Sequence, residues 1–160
     1  TSSGWRVLVF ELIGRCDMQY GPDNPFLRAD RILREQEGRY DVAVCEIHAS
    51  ATSEKLAMGF YLDGRVSAVY GTHTHVPTAD ARVNPEGTGY ITDLGMTGPK
   101  WSVLGVRKEQ SIAMFRGDLT SRFEPAEGVC VLQGAVFDID ESTGKCRSVQ
   151  RIEEEYVPGK

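Results

Sequence analysis

Apolar and polar positions alternate between two regular patterns along the first half of the chain. "WRVLVFEL" (5–12) is short, β-branched and almost unbroken, the pattern of a strand buried on both faces. "NPFLRADRILREQEGR" then sets Phe26, Leu27, Ala29, Ile32 and Leu33 at helical spacing, opened by Asn24 as cap and Pro25 in the first turn, and closed before Gly38. "YDVAVCEIHA" (40–49) repeats the strand signature. "TSEKLAMGFYL" predicts a second helix with Thr52 as N-cap and Glu54 in the first turn, where its charge suits the helix dipole. "GRVSAVYGT" (64–72) predicts a third strand. Strand, helix, strand, helix, strand implies parallel pairing through right-handed crossovers.

Beyond residue 80 the pattern changes. "GTGYITDLG" suggests a short strand and "RKEQSIAMFRGDL" a helix. "GVCVLQGAVFDIDESTGKCRSVQRIEEEY" holds two long alternating runs about "ESTGK", an antiparallel hairpin. The expected fold class is therefore α/β, parallel strands followed by an antiparallel hairpin. Residues 1–155 are expected to form a single domain, with 156–160 as a frayed tail. A chain of 160 residues with 41% hydrophobic content is long enough for one core.

Charge and cysteine usage narrow the partners. A formal charge of -5 supplies no general Lys/Arg surface for neutralising phosphates, which argues against non-specific nucleic-acid binding. No apolar run reaches the roughly 18 to 20 residues that span a bilayer, so the chain reads as soluble, without a membrane partner. Cys16, Cys45, Cys130 and Cys146 show no metal-ligand spacing, and Cys45 sits in the apolar "DVAVCEI". Reduced thiols in an intracellular compartment are expected, a bacterial cytoplasm or an organelle matrix.

The three histidines are unevenly placed. His48 ends the second predicted strand, and His73 and His75 end the third, in "YGTHTHVPTAD". All three thus fall at carboxyl ends of adjacent parallel strands, the edge where open α/β sheets bind ligands. On extended backbone, residues two apart point the same way, so His73 and His75 can converge. His-x-His with a third histidine from the next strand suits part of a metal site; a hydrogen-bonded surface pair or a turn is the other reading.

Other segments carry weaker signals. "PEGTGY" reads as loop punctuation, since the remaining glycines of a dinucleotide fingerprint are absent. There is no Walker loop and no GxSxG elbow. Asp93 in "ITDLGMTGP" either orients a ligand histidine or forms an Asx turn, and Asp80 in "TADAR" is equally open.

Residues 48–99, "HASATSEKLAMGFYLDGRVSAVYGTHTHVPTADARVNPEGTGYITDLGMTGP", resemble the YmdB-like family of calcineurin-type metallophosphoesterases, described as acting on 2′,3′-cyclic nucleotides. The resemblance continues more loosely from "VLVFELIGR" to the carboxyl hairpin. It implies the C-terminal portion of a calcineurin-like four-layer α/β/β/α sandwich. It also implies His48, His73 and His75 as metal ligands for two divalent or iron-type ions, Fe or Mn. The implied reaction is hydrolysis of a phosphodiester, a cyclic nucleotide or a relative of one, by a metal-activated hydroxide.

Two departures qualify what this implies. The GD-containing strand end, GEN segment and GNH segment of the family's first third, which supply its Asp, Glu and Asn ligands and a further histidine, do not occur here. A two-ion centre needs about seven protein ligands, and three imidazoles supply under half of them. Where the family pattern reads DFHAEAT, this chain reads "EIHASAT", so Glu46, Ile47 and Ser50 stand at the Asp, Phe and Glu positions. The chain alone is expected to be inactive, and to become a phosphodiesterase when completed by the missing amino-terminal part. The rival expectation is a non-catalytic structural or interaction subunit of a larger assembly. Either way a sheet edge and an apolar face are left open, so a partner chain or a homo-oligomer is expected to cover them.

Overall fold

The structure is a computed structural model describing residue 1 and residues 4–19, 21–118 and 122–157. Five strands form one sheet: β1 (Val7–Ile13), β2 (Val42–His48), β3 (Ala68–Thr72), β4 (Arg82–Val83) and β5 (Gly89–Ile91), in the order β1-β2-β3-β5-β4. β1, β2, β3 and β5 run parallel, and β4 joins β5 antiparallel. The first three strands are linked by α1 (Pro25–Glu35) and α2 (Thr52–Tyr61), as the alternation of patterns predicts.

Both helices cover one face of this sheet. Phe10 and Leu12 of β1, Cys45 and Ile47 of β2, Val69 of β3 and Tyr90 of β5 are buried in one cluster with Ala29 of α1, Met58 of α2 and Leu62, the residue that caps α2. Burial pushes the Cys45 thiol well up, so it behaves as a small apolar core residue. Four free cysteines agree with the expectation of unpaired thiols.

A second, antiparallel sheet consists of β6 (Thr97–Pro99), β7 (Cys130–Ile139) and β8 (Cys146–Tyr156). β7 and β8 are the hairpin read from the sequence, turning where Asp140 accepts from the backbone N–H groups of Ser142 and Thr143. The hairpin lies against β5 so closely that a Cβ on Gly89 would meet the Cys146 sulfur at 2.6 Å and the Phe137 ring at 2.7 Å. In the chain β6 is followed by α3 (Lys108–Arg116), a largely exposed helix that ends at Gly117 in the left-handed region.

Several expectations are corrected. β1 is buried on one face only: it lies at the sheet edge, and Val7, Val9 and Ile13 are exposed on the face away from the helices. Thr52 does not cap α2; the cap position is Ala51, without a side-chain hydrogen bond, and Thr52 is the first helical residue. Asn24 does cap α1, its side chain accepting from the Phe26 and Leu27 amides. The third strand starts at Ala68, later than residue 64, because a turn with Gly64 at φ 75° precedes it. It also ends at Thr72, so His73 and His75 follow the strand and do not belong to it. Tyr156 still pairs with Cys130, so the hairpin extends one residue into the expected frayed tail, of which residues 158–160 lie outside the described residues.

Candidate functional site

Parity along β2 puts Glu46 and His48 on the face opposite the helices, since Cys45 and Ile47 point into the core. Register then builds two rows across three strands. Glu11, Glu46 and Tyr70 are direct neighbours, and one step on so are Ile13, His48 and Thr72. The Thr72 hydroxyl donates to Glu46 Oε1 at 2.6 Å, Tyr70 donates to Glu46 Oε2 at 3.3 Å, and His48 Nδ1 lies 2.9 Å from Thr72 Oγ1. Ligand atoms of Glu11, Glu46 and His48 fall within 4.8 Å of one another, a group able to hold a cation.

His73 joins this row from the loop after β3. Its Nδ1 lies 3.0 Å from His48 Nε2, and the rings meet edge to face with centroids 4.8 Å apart. The convergence of His73 with His75 expected from extended backbone does not form; His73 meets His48 instead. His73 and His75 have φ of 98° and 62°, left-handed conformations that β-pairing does not supply. His75 is exposed and does not stack with the other two, yet it lines the same open cleft and its charge helps lower the His73 pKa. Burial is the first cause of that lowering, followed by the charges of His48 and Lys55, so His73 is held neutral below the usual histidine range.

The loop is set by a buried pair that periodicity did not reveal. Lys55 of α2 donates to the Thr72 carbonyl and to Asp93 Oδ2, and Asp93 also accepts from the Thr74 amide and hydroxyl. Asp93 Oδ1 accepts from the Gly95 amide, so the Asx turn is formed, and the same carboxylate fixes the residue between the two loop histidines. Asp80 has a parallel role, accepting from the amide and hydroxyl of Thr92 and from Thr78. Lys55 was legible only as a charged position in the first turns of α2. Its burial follows from where the helix sits over β3.

The cleft has a volume of 480 Å³. Its floor is Glu46, His48, Thr72 and His73, with His75 at the rim, and its wall is formed by Met96, Pro99 and Leu104. A polar, imidazole-rich floor against an apolar wall is the chemistry of a site for a small molecule carrying both a charged and an apolar part.

Residues 1–152 match the family described as YmdB-like protein. This chain belongs to the YmdB-like family. It is 48% identical over 151 residues to the 2′,3′-cyclic-nucleotide 2′-phosphodiesterase of Bacillus subtilis, covering 94% of this chain and 57% of that protein. It is 36% identical over 149 residues to a putative phosphatase/phosphodiesterase of Mycoplasma pneumoniae, covering 92% of this chain and 52% of that one. A crystal structure of a hypothetical protein from Thermus thermophilus superposes with a TM-score of 0.85 at 40% identity, over 95% of this chain and 58% of the other. A second, described as a novel phosphatase from Mycoplasma pneumoniae, gives 0.83 at 36% identity, over 94% and 54%. The chain therefore spans little more than half the length of the curated relatives it matches. No helix among the described residues is long and apolar enough to cross a membrane.

Proposed function

We propose that this YmdB-like chain forms part of an intracellular metal-dependent phosphodiesterase for cyclic nucleotides or related phosphodiesters, with His48, His73 and His75 among its metal ligands. The observation that carries this reading is the 3.0 Å separation of His48 Nε2 and His73 Nδ1. Two imidazole nitrogens this close could be held by one ion, which would take the place of the contact between them. A neutral His73 suits the role, because an imidazole must keep its lone pair to ligate. Bound ions, Fe or Mn, would supply Lewis acidity and a nucleophilic water at neutral pH.

The chain's own residues orient that chemistry. His48 and His73 meet at the cleft floor, the Lys55–Asp93 pair holds the loop between His73 and His75, and Met96 and Leu104 offer an apolar wall for a base. The remaining ligands of a two-ion centre come, on this reading, from polypeptide beyond these residues. The same polypeptide, or a second copy of the chain, covers Val7, Val9 and Ile13 and completes a four-layer sandwich; their exposure on the uncovered face of the sheet supports this.

Metal analysis tests the reading: the chain is loaded with Mn²⁺ or Fe²⁺, alone and with the remainder of a full-length relative added. Bound metal, with hydrolysis of bis-p-nitrophenyl phosphate and 2′,3′-cyclic AMP by the completed protein that is lost in His73→Ala, is expected. Absence of metal at any stoichiometry would overturn it in favour of a non-catalytic subunit.

A further inference from the structure

We infer that Glu46 is a positioning residue for His48, acting through the Thr72 hydroxyl to hold the imidazole in the tautomer with its proton on Nδ1. The geometry forces the order of donors. A threonine hydroxyl has one proton, and at 2.6 Å it goes to Glu46 Oε1, an acceptor-only group when ionised. The same hydroxyl oxygen lies 2.9 Å from His48 Nδ1 and can only accept there, so Nδ1 carries the proton. Nε2 is left with its lone pair, and this is the atom that faces His73 at 3.0 Å.

The relay is built across the sheet. Thr72 is the direct cross-strand neighbour of His48, while Glu46 precedes His48 by one same-face step and lies diagonal to Thr72. Tyr70, opposite Glu46, donates to the second carboxylate oxygen and fixes the plane of the group. All four side chains stand on the face opposite the helices, so no loop needs to move for the tautomer to be set. The consequence for a metal rests on the function proposed above: fixing a ligand histidine through its other nitrogen raises affinity by about 10- to 100-fold.

The tautomer is read directly, without metal, by long-range proton–nitrogen correlation NMR at a pH where His48 is neutral. Wild-type protein and Glu46→Gln, whose amide oxygen still accepts from Thr72, are expected to show protonated Nδ1 on His48. Glu46→Leu frees the Thr72 proton to donate to Nδ1, and Thr72→Val removes the partner while keeping a β-branched side chain in the strand. Both are expected to move His48 toward the Nε2–H form and to weaken Mn²⁺ binding by about 10- to 100-fold. Thermal melts of each variant confirm folding. An Nε2–H His48 in the wild type, or an unchanged tautomer in both Glu46→Leu and Thr72→Val, would overturn the inference. So would loss of Mn²⁺ affinity in Glu46→Gln with none in Thr72→Val, which makes Glu46 a direct ligand. If the wild type binds no Mn²⁺, the metal reading fails while the NMR comparison still decides this one.

Discussion

The Lys55 ammonium and the Asp93 carboxylate meet at 2.8 Å with side chains 0% and 1% exposed, and together they clamp the loop that carries His73 and His75. Lys55 reaches the carbonyl of Thr72 on one side of His73, and Asp93 holds the amide and hydroxyl of Thr74 on the other. Two left-handed histidines within three residues would otherwise favour a different loop conformation. Removing one partner leaves an uncompensated buried charge, so Lys55→Met is expected to cost about 3–5 kcal/mol. Urea denaturation measures that loss. Amide exchange should show the 73–75 segment opening before the rest of the sheet.

Acid should weaken the fold in two steps. His73 lies below the ordinary histidine value of about 6.5, chiefly through burial, so the unfolded chain takes up a proton before the folded one does. Stability therefore falls as pH drops below about 6.5 and through the lower folded value. Asp93 is pushed up by burial, but bonds from Lys55, Thr74 and Gly95 outweigh this and hold it below the usual carboxylate range. Its contribution is present above about pH 3.9 and is lost as pH falls through its lower folded value. Urea midpoints against pH should show both declines, and His73→Ala should remove only the first.

Gly71 sits in β3 beside the segment that continues from β5, where the Leu94 amide donates to the Gly71 carbonyl. A Cβ there would lie 1.8 Å from the Thr92 carbonyl oxygen and 2.8 Å from Lys55 Cδ. Backbone cannot yield as a side-chain end can, so Gly71→Ala is expected to cost on the order of 3 kcal/mol or more. Gly21, with nothing within 4 Å of its Cβ position, is the control. Thermal melts of the two variants should separate widely.

How much of this was legible in the sequence varies by element. Parallel strands, crossover helices and the hairpin all follow from patterns of period two and 3.6, and each has a counterpart in the fold. Asn24 identified its own cap, because a short side chain before Pro25 leaves few alternatives. The open face of β1 was not legible from "VLVFELI", since an apolar run does not say which of its faces meets a neighbour. His48 was placed correctly at a strand end. His73 was drawn to it by a loop whose φ angles depend on Lys55, a residue distant in sequence. The Glu46–Thr72–His48 relay needed the register between β2 and β3, which periodicity does not give.

Val9 is 64% exposed on the edge strand, between the exposed Val7 and the carboxylate of Glu11. An apolar face beside open backbone donors and acceptors favours association between chains. Val9→Lys is expected to lower the mass measured by light scattering at a given concentration. A surface change of this kind should alter stability by no more than about 0.5 kcal/mol. An unchanged mass would place any association elsewhere, for instance around Trp101 and Phe115, which are also exposed.

Leu104 stands at the tip of a two-residue hairpin closed by reciprocal hydrogen bonds between Val103 and Val106. Such a turn requires left-handed backbone at both central positions, and Leu104 and Gly105 have φ of 52° and 91°. Glycine suits this; leucine costs roughly 1–2 kcal/mol there. The strained side chain is half exposed and forms part of the wall of the histidine cleft. Asparagine tolerates the left-handed region and keeps the turn, so Leu104→Asn should raise stability by about 1 kcal/mol, read as a higher Tm. Because the wall becomes polar, the function proposed above implies a higher KM for a nucleotide in the completed protein, with Mn²⁺ affinity unchanged. A rise in Tm without any change in KM would mean that Leu104 shapes the turn and does not touch the substrate.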